Sequence, residues 1–426
     1  MSYKGTLYSF VLALGVGLIV SSCLRQDLFN KDTYRYYVRV NYPVDTLEAD
    51  HPWTLTRRVT VPVFADVSDN SISGVRIYSS NPQTDADAEI VAQADLSPGG
   101  STTLTFDVAQ TQGDLYAVLV GRMGRYYMVT YNSKQGAITF SGLDTKVFTN
   151  LPEPRLQSFT YLYESTFPTP DDFDYNDLVL RITRDAPQPN ILQLRVTLDA
   201  VGCSKKVAGA IRLPGIRYED VERVEIEEGH PFIEDYPLQQ TIISDNGPLG
   251  RSRTGEAVIC LFEDAHYALS KTVNEQGVLA YLPYNTDPYP DGIKTAKMEA
   301  QTRTYNIYMK IGVSIDSLQL GNLDPFIIER NGQIYFEVHT YKYKFSEVLW
   351  EYLGDDKKSY DDYLAWSLVI PSSTFRYPIE EVALGTYRDG ELYGAYGHKG
   401  HSFGEWGRNY RRAYDWWLYP NNALVY

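Results

Sequence analysis

The sequence predicts an all-β protein built from two sandwiches, and three observations carry that expectation. Short runs in which apolar and polar side chains alternate recur along the chain, without a sustained helical period. Tyrosine is abundant, at 36 of 426 residues, and with 22 Pro and 31 Gly it favours strands and turns. A chain of this length holds two or three domains, and 43% hydrophobic with 22% charged residues is the composition of packed units rather than disordered chain. The balance of 39 basic against 54 acidic side chains, a net charge of −15, argues against a nucleic-acid partner, because phosphate recognition rests on clustered Lys and Arg.

Residues 1–22 read as a targeting segment and stand outside the fold. Lys4 precedes an apolar run at 10–20, and these eleven residues are too few for a hydrocarbon core of about 30 Å. The run ends Val20-Ser21-Ser22-Cys23, which resembles the bacterial lipoprotein signal. That resemblance implies cleavage before Cys23 and lipidation of its thiol, with acyl chains holding the protein in the outer membrane. An ordinary secretory signal is the competing reading. The lipoprotein reading places the protein at the cell surface, with the periplasmic face as the alternative. Residues 23–34 then form a lipid-anchored polar tether, and loss of Lys4 makes the mature charge 38 minus 54, or −16. No later stretch approaches 18 apolar residues, so Cys23 is the predicted membrane attachment.

The first unit, 35–150, is expected to be an immunoglobulin- or fibronectin-like sandwich. Tyr37-Val38-Arg39-Val40-Asn41-Tyr42 alternates, as do Val59-Thr60-Val61-Pro62-Val63-Phe64 and Gly74-Val75-Arg76-Ile77-Tyr78. Similar runs follow at 103–106, 115–120 and 126–130. Turn signals separate them, among them Ser80-Asn81-Pro82 and Ser97-Pro98-Gly99-Gly100. Leu151-Pro152-Glu153-Pro154 reads as a linker, because neither proline can join a central strand.

The second unit, 155–426, is expected to be a larger, jelly-roll-like β-sandwich. Residues 192–200, 304–311 and 333–343 alternate, and 257–262 is a continuous apolar run of the kind a buried strand shows. Short helices are expected at 218–224, near 346–353 and at 379–382. Cys203 and Cys260 read either as small buried hydrophobes or, if the fold makes them neighbours, as a bridge.

One motif concentrates chemistry. Asp171, Asp172, Asp174, Asn176 and Asp177 fall within seven residues, directly before an expected strand at 178–182. So many oxygens repel one another unless a cation or backbone donors offset them, and such hard ligands suit Ca²⁺. The spacing Asp172-x-Asp174-x-Asn176 imitates the start of an EF-hand loop, but Asp177 stands where its glycine belongs and Thr183 where its bidentate acid belongs. An EF-hand is therefore excluded. A calcium-stabilised β-turn, with ligands Glu164, Asp172, Asp174, Asn176 and Asp177, stands beside a metal-free turn whose carboxylates cap backbone N–H groups. A catalytic pair is the third reading.

Tyr163-Glu164 followed by Asp172-Phe-Asp174-Tyr-Asn176-Asp177-Leu-Val also resembles the signature of LruC-domain proteins, envelope lipoproteins common in Bacteroidota. Gly209-Ala-Ile211-Arg-Leu213-Pro214-Gly215, Asn322-Leu-Asp-Pro325-Phe326-Ile327-Ile328, Trp366-Ser-Leu-Val-Ile370-Pro371 and Phe403-Gly-Glu-Trp406 are similar to further segments of that family, in the same order over 155–426. Ser165 stands where an acid commonly follows the glutamate, and Asp171 where a glycine often precedes the acidic run. The resemblance implies an envelope location and a domain without established activity.

Other features are weaker. His398 and His401 have a spacing that zinc sites use, but no third histidine or cysteine is nearby in sequence, so a glycine-rich loop is the simpler reading. The stretch 406–426 carries Trp406, Trp416, Trp417 and four tyrosines, suited either to closing a core or to stacking on a glycan. No nucleophile elbow, phosphate loop or metalloprotease helix occurs. The expected function is a non-enzymatic, lipid-anchored envelope protein with a binding or adhesive role toward a glycan or protein ligand. The alternatives are a carbohydrate-binding or carbohydrate-processing surface protein and a subunit of a surface fibre.

Overall fold

The computed structural model describes residues 51–426 apart from 123, 133, 143–144, 166, 168–171, 228–242, 245–246, 271–280, 287–296, 332–333, 341, 343–364 and 389–390. Cys23, the tether, the expected strand at 37–42 and the expected helix at 346–353 lie outside the described residues. Within them the all-β expectation holds: two units form, each from facing sheets.

The first nine strands among the described residues are β1 (Thr56–Ala65), β2 (Ile72–Tyr78), β3 (Glu89–Asp95), β4 (Ser101–Ala109), β5 (Leu115–Gly121), β6 (Tyr126–Tyr131), β7 (Ile138–Phe140), β8 (Lys146–Phe148) and β9 (Arg155–Leu156). A three-stranded sheet in the order β4-β1-β7 faces a six-stranded sheet in the order β8-β6-β5-β2-β3-β9. The alternation in β1 does what period two requires: Val59, Val61, Val63 and Ala65 point inward, onto Ile77, Phe106, Leu119 and Phe140.

The larger unit contains β10 (Ser158–Tyr163), β11 (Leu178–Gln188), β12 (Ile191–Ala200), β13 (Val207–Arg217), β14 (Val221–Ile226), β15 (Ile243–Ser244), β16 (Leu249–Arg251), β17 (Glu256–Phe262), β18 (Gln301–Met309), β19 (Asp324–Asn331), β20 (Ile334–His339) and β21 (Ser367–Ile370). One sheet runs β14-β18-β12-β11-β10-β21 and the other β15-β16-β17-β13-β19-β20. Leu192, Leu194, Val196 and Leu198 of β12 and Tyr305, Ile307 and Met309 of β18 alternate into one shared core. β17 is buried on both faces, which explains its unbroken apolar run: Ala257, Ile259 and Leu261 enter the main core, and Val258 and Cys260 enter a second cluster with Ala208, Ala210, Phe326 and Ile328. Cys203 belongs to the main core and Cys260 to the other cluster, so they lie on opposite faces of this sheet. Both are free thiols, and the bridge is not formed.

A buried charge network crosses this second sheet. His339 donates from Nδ1 to Asp324 Oδ2 at 2.7 Å and from Nε2 to Glu337 Oε2 at 3.0 Å. Arg212 reaches Asp324 at 2.8 Å and Glu256 at 3.2 Å. Burial alone would depress the His339 pKa, but the two carboxylates outweigh it and hold the imidazole at about 9.

The expected helix at 218–224 is corrected. Tyr218–Asp220 makes a single 3-10 turn and Val221–Ile226 is β14, an edge strand beside β18. Its Glu222, Arg223 and Glu225 mimic a helical surface in sequence, but they are the polar face of a sheet edge. Residues 379–382 form a turn, with Val382 N donating to Ile379 O at 3.1 Å. The described α-helices are α1 (Ala265–Ser270) and α2 (Phe403–Arg408). Ser402 caps the start of α2: its hydroxyl accepts from the Glu405 amide at 3.1 Å and donates to the Glu405 carboxylate at 2.9 Å.

The chain ties the two units together. Before β1, Trp53 and Leu55 enter the main core of the larger unit. His51 accepts from the Trp53 amide at 3.0 Å through Nδ1 and donates from Nε2 to the Trp406 carbonyl at 2.9 Å. Asp107 of β4 accepts from Arg58 at 2.9 and 3.1 Å and from the Gly321 amide at 2.9 Å. β9 adds in parallel to β3 two residues before β10 begins.

Candidate metal centre

The strands β10 and β11 pair antiparallel, with Tyr163 opposite Leu178, and the loop 164–177 between them contains all five sequence-expected ligands. Among the described residues of this loop two adopt the left-handed conformation without being glycine, Phe173 at φ 56° and Tyr175 at φ 58°. Such backbone is rare for aromatic residues and persists only where the surroundings fix it. Here the core fixes it. The Phe173 ring sits 5.8 Å from that of Trp366, and the Tyr175 hydroxyl donates to the Ala365 carbonyl at 2.6 Å. With the aromatic side chains taken by the core, the acidic residues that alternate with them converge on Glu164.

Glu164 is fully buried, and its carboxylate accepts from the amides of Phe173 at 3.4 Å and Tyr175 at 3.1 Å. Asp174, 1% exposed, accepts from Asn176 N at 2.9 Å, Asn176 Nδ2 at 2.7 Å and Glu381 N at 3.1 Å. Oxygens of Glu164, Asp172 and Asp174 lie within 4.8 Å of one another. Two ligands of one calcium ion, each at about 2.3–2.6 Å, are at most about 5 Å apart, so this spacing fits a shared ion. Asn176 adjoins the three through Asp174, donates also to the Pro378 carbonyl at 3.1 Å, and its buried Oδ1 has no hydrogen-bond partner. Asp177 lies outside that cluster, though near enough to raise the pKa of Glu164, and accepts from the Ser165 amide. Of the five expected ligands the structure therefore gathers three, sets Asn176 beside them and uses Asp177 to close the loop.

The electrostatics match the geometry. Burial drives the pKa of Glu164 well above the usual carboxylate range, and Asp177, Asp172 and Asp174 raise it further. Asp174 moves the same way, through burial first and then Asp172, Asp177 and Glu380. Glu380, which sequence reasoning missed, accepts from the Thr286 hydroxyl at 2.7 Å and is pushed up to about 7 by burial, with Asp172 and Asp177 adding to it. No local sequence signal marks it, because it arrives from 200 residues downstream. Oxygen ligands of this hardness would suit Ca²⁺ rather than a thiolate-preferring ion.

Gly202 wedges the loop in place. Its amide donates to the carbonyls of Asn176 at 3.0 Å and Asp177 at 3.2 Å, and a Cβ there would lie 1.9 Å from Asn176 Oδ1.

The other candidates separate. His398 and His401 face each other across the hairpin β24 (Gly397–His398) and β25 (His401–Ser402), which follows the hairpin β22 (Thr386–Arg388) and β23 (Glu391–Tyr393). His401 bonds Asp415 at 2.7 Å and stacks on Tyr419 at 4.0 Å. Trp406 and Trp416 are wholly buried, their rings 6.0 Å apart, and these two side chains are core rather than platform.

Fold and site together define a two-sandwich all-β protein with a buried carboxylate loop at the head of its larger unit. Residues 191–406 match the family described as Domain of unknown function (DUF4842), and the chain belongs to that family. The matched region begins at the first residue of β12 and ends at Trp406, so the loop 164–177 precedes it. No curated protein and no solved structure matches the chain.

Proposed function

We propose that the chain is a non-enzymatic, lipid-anchored envelope protein of the LruC-domain kind. Its larger sandwich presents a binding or adhesive surface and is stabilised by Ca²⁺ held at Glu164, Asp172 and Asp174. The observation that carries this reading is the set of three carboxylates within 4.8 Å, two of them buried, whose strongest charged neighbours are other carboxylates. Glu164 and Asp174 are also engaged by backbone amides, which suits holding a loop more than attacking a substrate. A bound ion neutralises the loop and links β10 and β11 to the turn at 379–382, whose Glu381 amide already reaches Asp174.

The anchor rests on Val20-Ser21-Ser22-Cys23. Cys23→Ala is expected to move the protein out of the detergent phase in phase separation of cell extracts. Unchanged partition of that variant contradicts the anchor. For the ion, chelator is expected to lower the melting temperature of the mature chain, and calcium to restore it better than magnesium. An ion at a hundredfold excess over Kd adds about 2.7 kcal/mol. Melting curves that coincide with and without chelator contradict the metal.

A further inference from the structure

We propose that the C-terminal end of the larger unit, around the two hairpins and α2, lies against an anionic phospholipid surface. The inference rests on the lipid-anchor reading of Cys23 and extends it to the folded part of the chain.

Three independent observations converge there. Among the described residues eight large hydrophobic side chains are exposed, and four of them, Tyr393, Tyr414, Leu418 and Tyr419, fall within 393–419. Two of them adjoin the second hairpin: Gly397 abuts the Tyr393 backbone, and Tyr419 is stacked under His401, which bonds Asp415. Second, the charge reverses locally. Residues 397–426 carry Lys399, Arg408, Arg411 and Arg412 against Glu405 and Asp415, in a chain with 39 basic and 54 acidic side chains. Arg411 and Arg412 are exposed. Tyrosines mixed with arginines are the chemistry of the headgroup layer, where an aromatic body meets the acyl boundary and a cation meets phosphate.

Third, the described chain begins at this end. The His51 ring contacts that of Trp406 at 4.6 Å and that of Tyr410 at 5.9 Å, and the Arg411 guanidinium lies 4.7 Å over the same Tyr410 ring. The start of the described chain therefore packs on this end of the larger unit. A glycan is the poorer occupant, since a sugar needs an open aromatic face. Trp406 and Trp416 are buried, and His401 covers one face of Tyr419.

The test uses the chain from residue 23 onward carrying Cys23→Ala, so that no acyl chain contributes to binding. Sedimentation with phosphatidylglycerol–phosphatidylethanolamine vesicles is compared with phosphatidylcholine vesicles. Binding to the anionic vesicles alone, weakened by salt, is expected. Arg411→Glu with Arg412→Glu should reduce it roughly tenfold or more, at an unchanged melting temperature. Leu418→Asp should weaken it too, whereas Lys134→Glu on the first sandwich should not. No binding, equal binding to both vesicle types, or binding indifferent to the double reversal overturns the proposal, as does glycan binding by these residues without vesicle binding. If the vesicle result holds while wild-type Cys23 proves unmodified in cells, the anchor reading fails and this surface stands.

Discussion

Replacing Gly202 with alanine tests the carboxylate loop without touching any of its ligands. The added methyl group would sit 1.9 Å from Asn176 Oδ1 and 2.9 Å from the Asn176 carbonyl, both far inside contact distance. The asparagine is fully buried and has no room to turn outward, so it must leave its place. In leaving it gives up the bonds from Nδ2 to Asp174 and to the Pro378 carbonyl. Two buried hydrogen bonds are worth about 1 kcal/mol each, and forced overpacking costs about 1–3 kcal/mol. The sum is about 3–5 kcal/mol, or a fall of roughly 4–8 °C in the melting temperature of a unit this size. Gly113→Ala is the control, because nothing lies within 4 Å of a Cβ there, and it should stay within about 0.5 kcal/mol of wild type. Denaturation followed by circular dichroism, with and without calcium, reads both variants. Gly202→Ala should also lose any calcium response, since Asn176 orders Asp174. If it melts with wild type and keeps the same response, the packing of Asn176 against this glycine does not hold the loop.

Further outcomes follow from other parts of the fold. His339 titrates at about 9 when folded against 6.5 unfolded, so its contribution is complete below pH 6.5 and is lost as pH rises through 9. That contribution is on the order of 3 kcal/mol. His339→Gln should flatten the decline of urea stability between pH 7 and 9.5, and an unchanged slope would show that the Asp324–His339–Glu337 network does not set it. Trp53→Ala should destabilise the larger unit by about 3–5 kcal/mol, although Trp53 precedes β1 of the first unit in sequence. By the same contact, a fragment from Leu156 onward lacks His51, Trp53 and Leu55 and should melt well below the intact chain. Equal melting of fragment and intact chain would remove that contact from the account.

Much of the fold is legible from the residues because most of its strands bury one face. The alternation in β1, β12 and β18 is visible in sequence for that reason, and the unbroken run in β17 is visible because both of its faces are covered. β14 reads as a helix because Val221 and Val224 are three apart, and an edge strand with a polar outer side leaves no clean period to contradict that spacing. α2 does carry a legible start, since Ser402-Phe403-Gly404-Glu405 is a capping-box pattern, but only six residues follow from it and no amphipathic period develops. The site divides similarly. Glu164, Asp172 and Asp174 belong to one hairpin loop, so local sequence brings them together. Glu380 and Gly202 reach the loop through tertiary packing alone, and the docking of residues 51–55 on Trp406 depends on how the two units meet. The opposite-face placement of Cys203 and Cys260 likewise needs the strand order of the second sheet.

The most direct test of the central claim is calorimetric titration of calcium into the mature chain, beside the same chain carrying Asp174→Ala and Glu164→Gln separately. The account predicts saturable binding of one ion at the loop, weaker for magnesium, and lost in both variants. Glu164→Gln should meanwhile leave the calcium-free chain as stable as wild type or more so, because a neutral amide no longer has to be held uncharged in a buried site. A flat titration of the wild-type chain, or heat that survives both substitutions, would contradict it and leave the loop held by its backbone hydrogen bonds and shared protons alone.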